Sequence, residues 1–298
     1  MSETKYFPTV EAIEKASQVL DEILEPTPFQ RNANLSDIYE AEIYLKREDL
    51  QMVRSYKIRG AYNKIRTIDP ELVTNGIVCA SAGNHAQGVA FSCSKLKIMG
   101  SIFMPVTTPR QKIEQVRMFG KEFIEIILTG DTFDAANSAA IAYAKENNKT
   151  FIPPFDDPKV MEGQGTIGRE ILNQSKEPLD YIFVPIGGGG LASGLGAYIS
   201  QMSPDTKIIG VEPGGAPCMK AAIENGGPVK LEHIDKFVDG AAVQLAGTHT
   251  YEVCRQVLDD IVVVPEGAVC TTIIHMYNKS AIVVEPAGAL AVAALKFY

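Results

Sequence analysis

Six short stretches of the chain are apolar without alternation: GIVCA (76–80), SIFMP (101–105), EFIEIIL (122–128), YIFVPI (181–186), KIIGVE (207–212) and DIVVVP (260–265). Each is followed by a turn signal and a segment of helix length. A strand with one wet face alternates, whereas a run that is apolar throughout suits a strand covered on both faces. The pattern predicts an α/β protein with parallel sheets and helices on both sides. Pro153-Pro154 and Asp156-Asp157-Pro158 interrupt the pattern, which then resumes, so two lobes with a cleft between them are expected. Near the start, EAIEKASQVLDEIL carries apolar residues at helical spacing and reads as an amphipathic helix lying on the core. No internal repeat or low-complexity segment interrupts this plan.

Composition narrows the classes of function. With 298 residues and 46% hydrophobic content, the chain can bury the cores of one large or two ordinary domains. A net charge of −8 with both signs mixed along the sequence leaves no electrostatic footprint for nucleic acid or anionic lipid. No run of about 18 apolar residues occurs, and the N-terminus MSETKYFPTVEAIEKA lacks the basic region and apolar core of a secretory signal. A cytoplasmic protein with no membrane partner is expected. The five cysteines (Cys79, Cys93, Cys218, Cys254, Cys270) form no CxxC pair, as suits reduced thiols, and Cys79 and Cys93 read as core packing. Four histidines without an HExxH or His/Cys cluster offer no zinc site.

Three constellations carry chemistry. In SYKIRGA (55–61), Lys57 stands beside the ring of Tyr56; an arbitrary lysine there is a solvated helix charge, and only the rest of the chain moves that reading. In SAGNHAQG (81–88), a small, polar turn follows one strand run and opens a helix. Backbone N–H groups at the positive end of a helix suit a carboxylate, although a ligand-free Ser/Asn cap has the same appearance. Gly187-Gly188-Gly189-Gly190-Leu191 again lies between a strand run and a helix. Without Cβ atoms, such a loop can wrap a phosphate with several N–H donors. It lacks the Gly-Lys-Ser/Thr ending of a P-loop and the GxGxxG spacing of a dinucleotide site, so a small phosphorylated cofactor fits better than ATP or NAD. A lysine with an aromatic neighbour, a carboxylate-sized anion turn and a phosphate cup together describe the needs of pyridoxal phosphate.

The stretches EIYLKREDLQMVRSYKIRGAYNKI, ASAGNHAQGVA, PPFDDPKVMEGQGTIGREIL, VPIGGGGLASGLG and VEPAGALAVAALK, in this order, resemble the fold-type-II pyridoxal-phosphate enzymes and, within them, the threonine dehydratases. The resemblance spans nearly the whole chain. It implies a two-lobed, tryptophan synthase β-like fold, with residues 1–48 and 155–298 forming a large cofactor-binding domain and 49–154 a small one. By the same resemblance Lys57 carries the cofactor as a Schiff base, while Gly187, Gly188, Gly189, Gly190 and Leu191 hold its phosphate. Asn84 would hydrogen-bond the ring oxygen. Ser81, Ala82, Gly83, Asn84 and His85 would grip the substrate carboxylate, and Gly240, in FVDGAAV, would line the ring edge. Tyr56 stands where many relatives have phenylalanine. The implied reaction takes L-threonine to 2-oxobutanoate and ammonia, and L-serine to pyruvate, with Lys57 as base and the cofactor phosphate as proton donor to the departing hydroxyl. The wording is closer to biosynthetic members, at the start of isoleucine synthesis, and relatives are commonly dimers or tetramers.

Departures from the family matter as well. Serine racemases carry a second acid/base serine where this chain has Ala82, so dehydration is expected over racemisation; a racemase/dehydratase and a non-catalytic cofactor-binding remnant are the alternatives. The racemases' cation site corresponds to Glu212-Pro213-Gly214-Gly215-Ala216-Pro217-Cys218, where Cys218 is a poor ligand for magnesium or calcium. No metal is expected, and Glu212 reads equally as a cap. The final ALAVAALKFY is an apolar run without a glycine cap, which predicts a truncated chain. It would then lack the family's serine or cysteine beside the pyridine nitrogen and the isoleucine-sensing domain.

Overall fold

The computed structural model describes residues 6–298, so the first five residues of the expected 1–48 segment lie outside it. The described strands are β1 (Phe29–Arg31), β2 (Tyr44–Lys46), β3 (Ile77–Ala80), β4 (Gly100–Met104), β5 (Ile124–Leu128), β6 (Thr150–Phe151), β7 (Tyr181–Pro185), β8 (Lys207–Pro213) and β9 (Asp260–Val264). They form an antiparallel pair β1-β2, a four-stranded sheet of order β5-β4-β3-β6 and a three-stranded sheet of order β7-β8-β9. Every pairing inside the two larger sheets is parallel.

All six apolar runs became strands. Alternation places Ile77, Cys79, Ile102 and Met104 in one core and Val78, Ala80 and Phe103 in another, on opposite faces of the four-stranded sheet. In the same way Ile182, Val184 and Ile208 face one core of the second sheet, while Ile209, Val211, Val262 and Val264 face the other. EFIEIIL departs in two respects. Lys121–Phe123 is a 3-10 turn, and β5, having a neighbour only on the β4 side, is partly open on both faces. Short β1, β2 and β6 carry too few residues to establish a period.

The N-terminal helix Val10–Leu20 starts on Thr9, whose side-chain oxygen accepts from the Ala12 N–H, and buries Ile13, Ala16 and Leu20. It lies on the long helix Pro158–Gln174. That helix also packs against two others, Lys57–Thr67 and Gly190–Met202. Glycines set both approaches: a Cβ at Gly163 would lie 2.7 Å from the Gly60 Cα, and one at Gly194 would lie 2.7 Å from the Gly165 backbone nitrogen. One helix thus fixes the start of Lys57–Thr67 relative to the start of Gly190–Met202.

Buried charge reinforces this joint. Arg59, 1% exposed, donates to both oxygens of Glu48 at 2.8 and 2.9 Å, to both of Glu170 at 2.6 and 3.0 Å, and to Thr166 Oγ1 at 3.1 Å. Lys46 Nζ reaches Glu170 at 2.5 Å as well. Burial opposes the Arg59 charge, but the two carboxylates more than restore it and its pKa is pushed up.

Candidate active site

Lys57 is the first residue of its helix, half-buried, with Nζ 2.9 Å from the Pro154 carbonyl oxygen that accepts from it and 5.5 Å from the Tyr56 ring centroid. Enclosure pushes its ammonium down to about 8, against the opposing pull of Glu285. Tyr56 is held as a neutral phenol, its pKa raised by burial and by the charges of Glu285 and Glu48.

Pro154 is followed by Phe155, which packs against the glycine loop. A Cβ at Gly188 would enter the ring of the neighbouring Phe155, and one at Gly190 would lie 2.9 Å from the Phe155 Cβ. Asp156 then accepts from the N–H groups of Thr248, His249 and Thr250, fixing the helix Thr248–Val257. From that helix Thr250 Oγ1 donates to the Gly188 carbonyl at 2.6 Å. Cys218 Sγ donates to the Gly187 carbonyl at 3.3 Å, and the Ser193 N–H donates to that of Gly189 at 2.8 Å. In a trans peptide the carbonyl of one residue and the N–H of the next point in opposite directions. Tying down the carbonyls of 187, 188 and 189 therefore turns the amides of Gly188, Gly189 and Gly190 to the other side. Gly189 has φ +94°, which only glycine adopts without strain. The amides sit at the N-terminus of Gly190–Met202, where a phosphate is favoured, and Leu191 follows in the first turn. Tied carbonyls, outward amides and a part-buried amine with a lowered pKa fit the phosphate and the aldehyde of pyridoxal phosphate.

The second turn is partly occupied by its own contacts. The Ser81 N–H donates to Phe103 and the Gly83 N–H to Ser81 Oγ at 3.2 Å, which leaves the first-turn amides of Asn84 and His85 for an anion. A Cβ at Gly83 would meet nothing within 4 Å, and the turn, Ala82 included, is half-exposed. His85 is buried with Nε2 3.0 Å from the Ile152 carbonyl, and burial and Lys57 together push its pKa down to about 3, so it is a neutral structural ring. Asn84 Nδ2 donates to Glu285 Oε1 at 2.7 Å. Gly240 lies against that carboxylate: a Cβ there would be 3.3 Å from Oε1, and its neighbour Ala241 packs on Gly187.

Sequence reasoning missed Glu285, Phe155, Asp156 and Thr250. Glu285, Phe155 and Asp156 lie in quoted motifs and Thr250 lies outside them, but the partners of all four are distant in the chain, so local pattern could not reveal the contacts. Glu212 is fully buried and accepts from the N–H groups of Met219 and Lys220, which makes it the cap of the helix Cys218–Asn225. Burial pushes its carboxyl up to about 7. Cys79 and Cys93 are buried in the core, as expected.

The model of the family described as pyridoxal-phosphate dependent enzymes matches residues 20–298, and the chain belongs to that family. Among relatives, the biosynthetic L-threonine dehydratases of Halalkalibacterium halodurans and Bacillus subtilis are each 56% identical over 289 residues; both matches take in 97% of this chain and 70% and 68% of those proteins. The processed form of threonine deaminase isoform 2 from Solanum lycopersicum superposes with a TM-score of 0.91 at 38% identity, covering 98% of this chain and 87% of that one. Maize serine racemase superposes with a TM-score of 0.92 at 30% identity, covering 97% and 87%.

Proposed function

We propose that this chain is a pyridoxal-phosphate-dependent threonine ammonia-lyase, converting L-threonine to 2-oxobutanoate and ammonia and L-serine to pyruvate, at the first step of isoleucine synthesis. The observation that carries the reading is the assembly of Lys57 and the outward amides of the glycine loop through one short segment, Pro154-Phe155. The 56% identity to biosynthetic L-threonine dehydratases supports the substrate. Bound pyridoxal phosphate supplies the electron sink that makes the α-proton of an amino acid removable.

The protein's own groups do the rest. The amides of Gly188, Gly189 and Gly190 hold the phosphate, with Gly187 and Leu191 shaping the cup's ends, and Asn84 donates to the ring oxygen. Tyr56 and Gly240 bound the ring. The turn from Ser81 to His85 receives the substrate carboxylate on its free amides. Lys57, with a lowered pKa, is a base near neutral pH and takes the α-proton. Loss of the β-hydroxyl as water and uptake of one water on hydrolysis balance the conversion of threonine to keto acid and ammonia.

Ala82 argues against the racemase alternative, since a methyl cannot return a proton to the opposite face. The reading extends to residues 49–154 as the smaller lobe, a homo-oligomeric assembly and a cytoplasmic location; no helix among the described residues is long and apolar enough to cross a membrane. The test is keto-acid release from L-threonine beside Lys57→Ala, which is expected to lose at least the ~10²–10⁴-fold that a positioned base contributes. D-serine formation from L-serine at a rate matching dehydration would overturn the dehydratase assignment in favour of a racemase.

A further inference from the structure

Asn84 and Glu285 are 201 residues apart, yet their side chains meet at 2.7 Å. Each is anchored by a helix start: Asn84 opens Asn84–Leu96 and Glu285 precedes Pro286–Ala294. Gly240 is fitted around the contact, because a Cβ there would be 2.8 Å from the Ala287 Cβ and 3.3 Å from Glu285 Oε1. A carboxylate beside an asparagine has a directional consequence. An amide presents nearly the same shape with its oxygen and nitrogen exchanged, so an unpartnered asparagine can face either way, whereas an ionised carboxylate accepts only.

We propose that Glu285 is a positioning residue that acts through Asn84: by taking one N–H of the amide, it fixes the amide's direction and leaves the second N–H for the cofactor's ring oxygen. This rests on the function proposed above, in which Asn84 meets that oxygen. With the amide reversed, a carbonyl would oppose the ring oxygen. With it held, a charge-assisted N–H bond stabilises the anionic form of that oxygen. Glu285 is partly open to water, yet enclosure and the nearby Asp239 charge still push its carboxyl up from the usual range, and the Asn84 N–H, Lys112 and Lys57 counter that push. The contact therefore also favours the acceptor-only form of Glu285.

The experiment is the absorption spectrum of the cofactor-loaded protein, read as the ratio of its visible to near-ultraviolet bands, together with cofactor affinity by titration. The proteins are the parent, Glu285→Ala, Glu285→Gln, Asn84→Ala and the double variant Asn84→Ala/Glu285→Ala. Thermal unfolding of each without cofactor checks the fold. Glu285→Ala is expected to shift the ratio toward the near-ultraviolet band and weaken cofactor binding about tenfold, the loss of one charge-assisted hydrogen bond. Glu285→Gln, whose amide accommodates either direction of Asn84, is expected to fall between parent and Glu285→Ala. In the Asn84→Ala background the further change at 285 is expected to have no effect on ratio or affinity, since interacting sites are non-additive. Equal shifts from Glu285→Ala in both backgrounds would show that the carboxylate acts by charge and overturn the inference, as would an unchanged ratio in the single variant. A parent with no band that Lys57→Ala abolishes would overturn the function reading and this inference with it.

Discussion

Lys57 and His85 share an enclosure that disfavours positive charge, and each carries a measurable pH signature. Lys57 is pushed down to about 8, from the ~10.4 of an ordinary lysine. Between those values the unfolded chain holds a proton that the folded chain has released. The stability of the cofactor-free protein therefore rises with pH across that window; the Lys57 contribution is complete above it and is lost as pH falls through about 8. We expect the unfolding temperature of the cofactor-free parent, taken relative to Lys57→Met, to drop as pH falls from 10 to 8. The rate of cofactor capture should climb to a plateau above pH 8, and a capture rate flat from pH 6 to 9 would contradict the lowered pKa. For His85 the window lies lower. Its folded pKa of about 3 means that the unfolded state binds the extra proton first, from about 6.5 downward, so acid weakens the fold through this ring. His85→Gln should flatten the stability loss between pH 6.5 and 4, and the His85 ring resonances of the parent should not titrate between pH 5 and 8.

The glycine loop works as an element because its carbonyls are occupied from behind by Cys218, Thr250 and the Ser193 amide. Gly188→Ala would drive a methyl into the Phe155 ring, and the overpacking cost of roughly 1–3 kcal/mol falls on the segment that also anchors Lys57. Cofactor affinity is expected to fall roughly tenfold or more by titration, whereas Gly83→Ala, which meets nothing within 4 Å, should leave the fold's stability near that of the parent. The cup was legible in sequence because four glycines between a strand run and a helix form a local pattern. The same holds for β3, β4, β7, β8 and β9, whose doubly covered positions read as unbroken apolar runs. β1, β2 and β6, of three, three and two residues, are too short to carry a period. Nothing local in KIRGA marks Arg59 as the residue that Glu48 and Glu170 close around, and nothing local in VEPAG marks Glu285 as the partner of Asn84. Both depend on contacts that no local spacing encodes.

At the scale of the whole molecule the two sheets are joined by interactions of unequal character. Arg59 is buried between Glu48 and Glu170, and the helices starting at Lys57, Pro158 and Gly190 pack at glycine contacts. Other contacts are open to water: Lys112 pairs with Asp239, and Lys230 with Asp134 at 3.3 Å, bridging helices of the four-stranded-sheet region to the segment that carries Gly240. Removing one partner of a buried ion pair costs ~3–5 kcal/mol, whereas exposed pairs contribute at most ~1 kcal/mol and are screened by salt. The buried set is thus a rigid joint and the exposed set a soft one. Arg59→Met should lower the unfolding temperature sharply, because two carboxylates lose their shared partner. Asp134→Asn/Asp239→Asn should leave that temperature nearly unchanged and speed cofactor dissociation severalfold, and about 0.5 M salt, which shortens the screening length to a few ångströms, should give the parent the same dissociation rate as the variant. Equal dissociation rates at low salt would show that the exposed pairs do not slow cofactor release, and the buried joint alone would then set the distance between the two sheets.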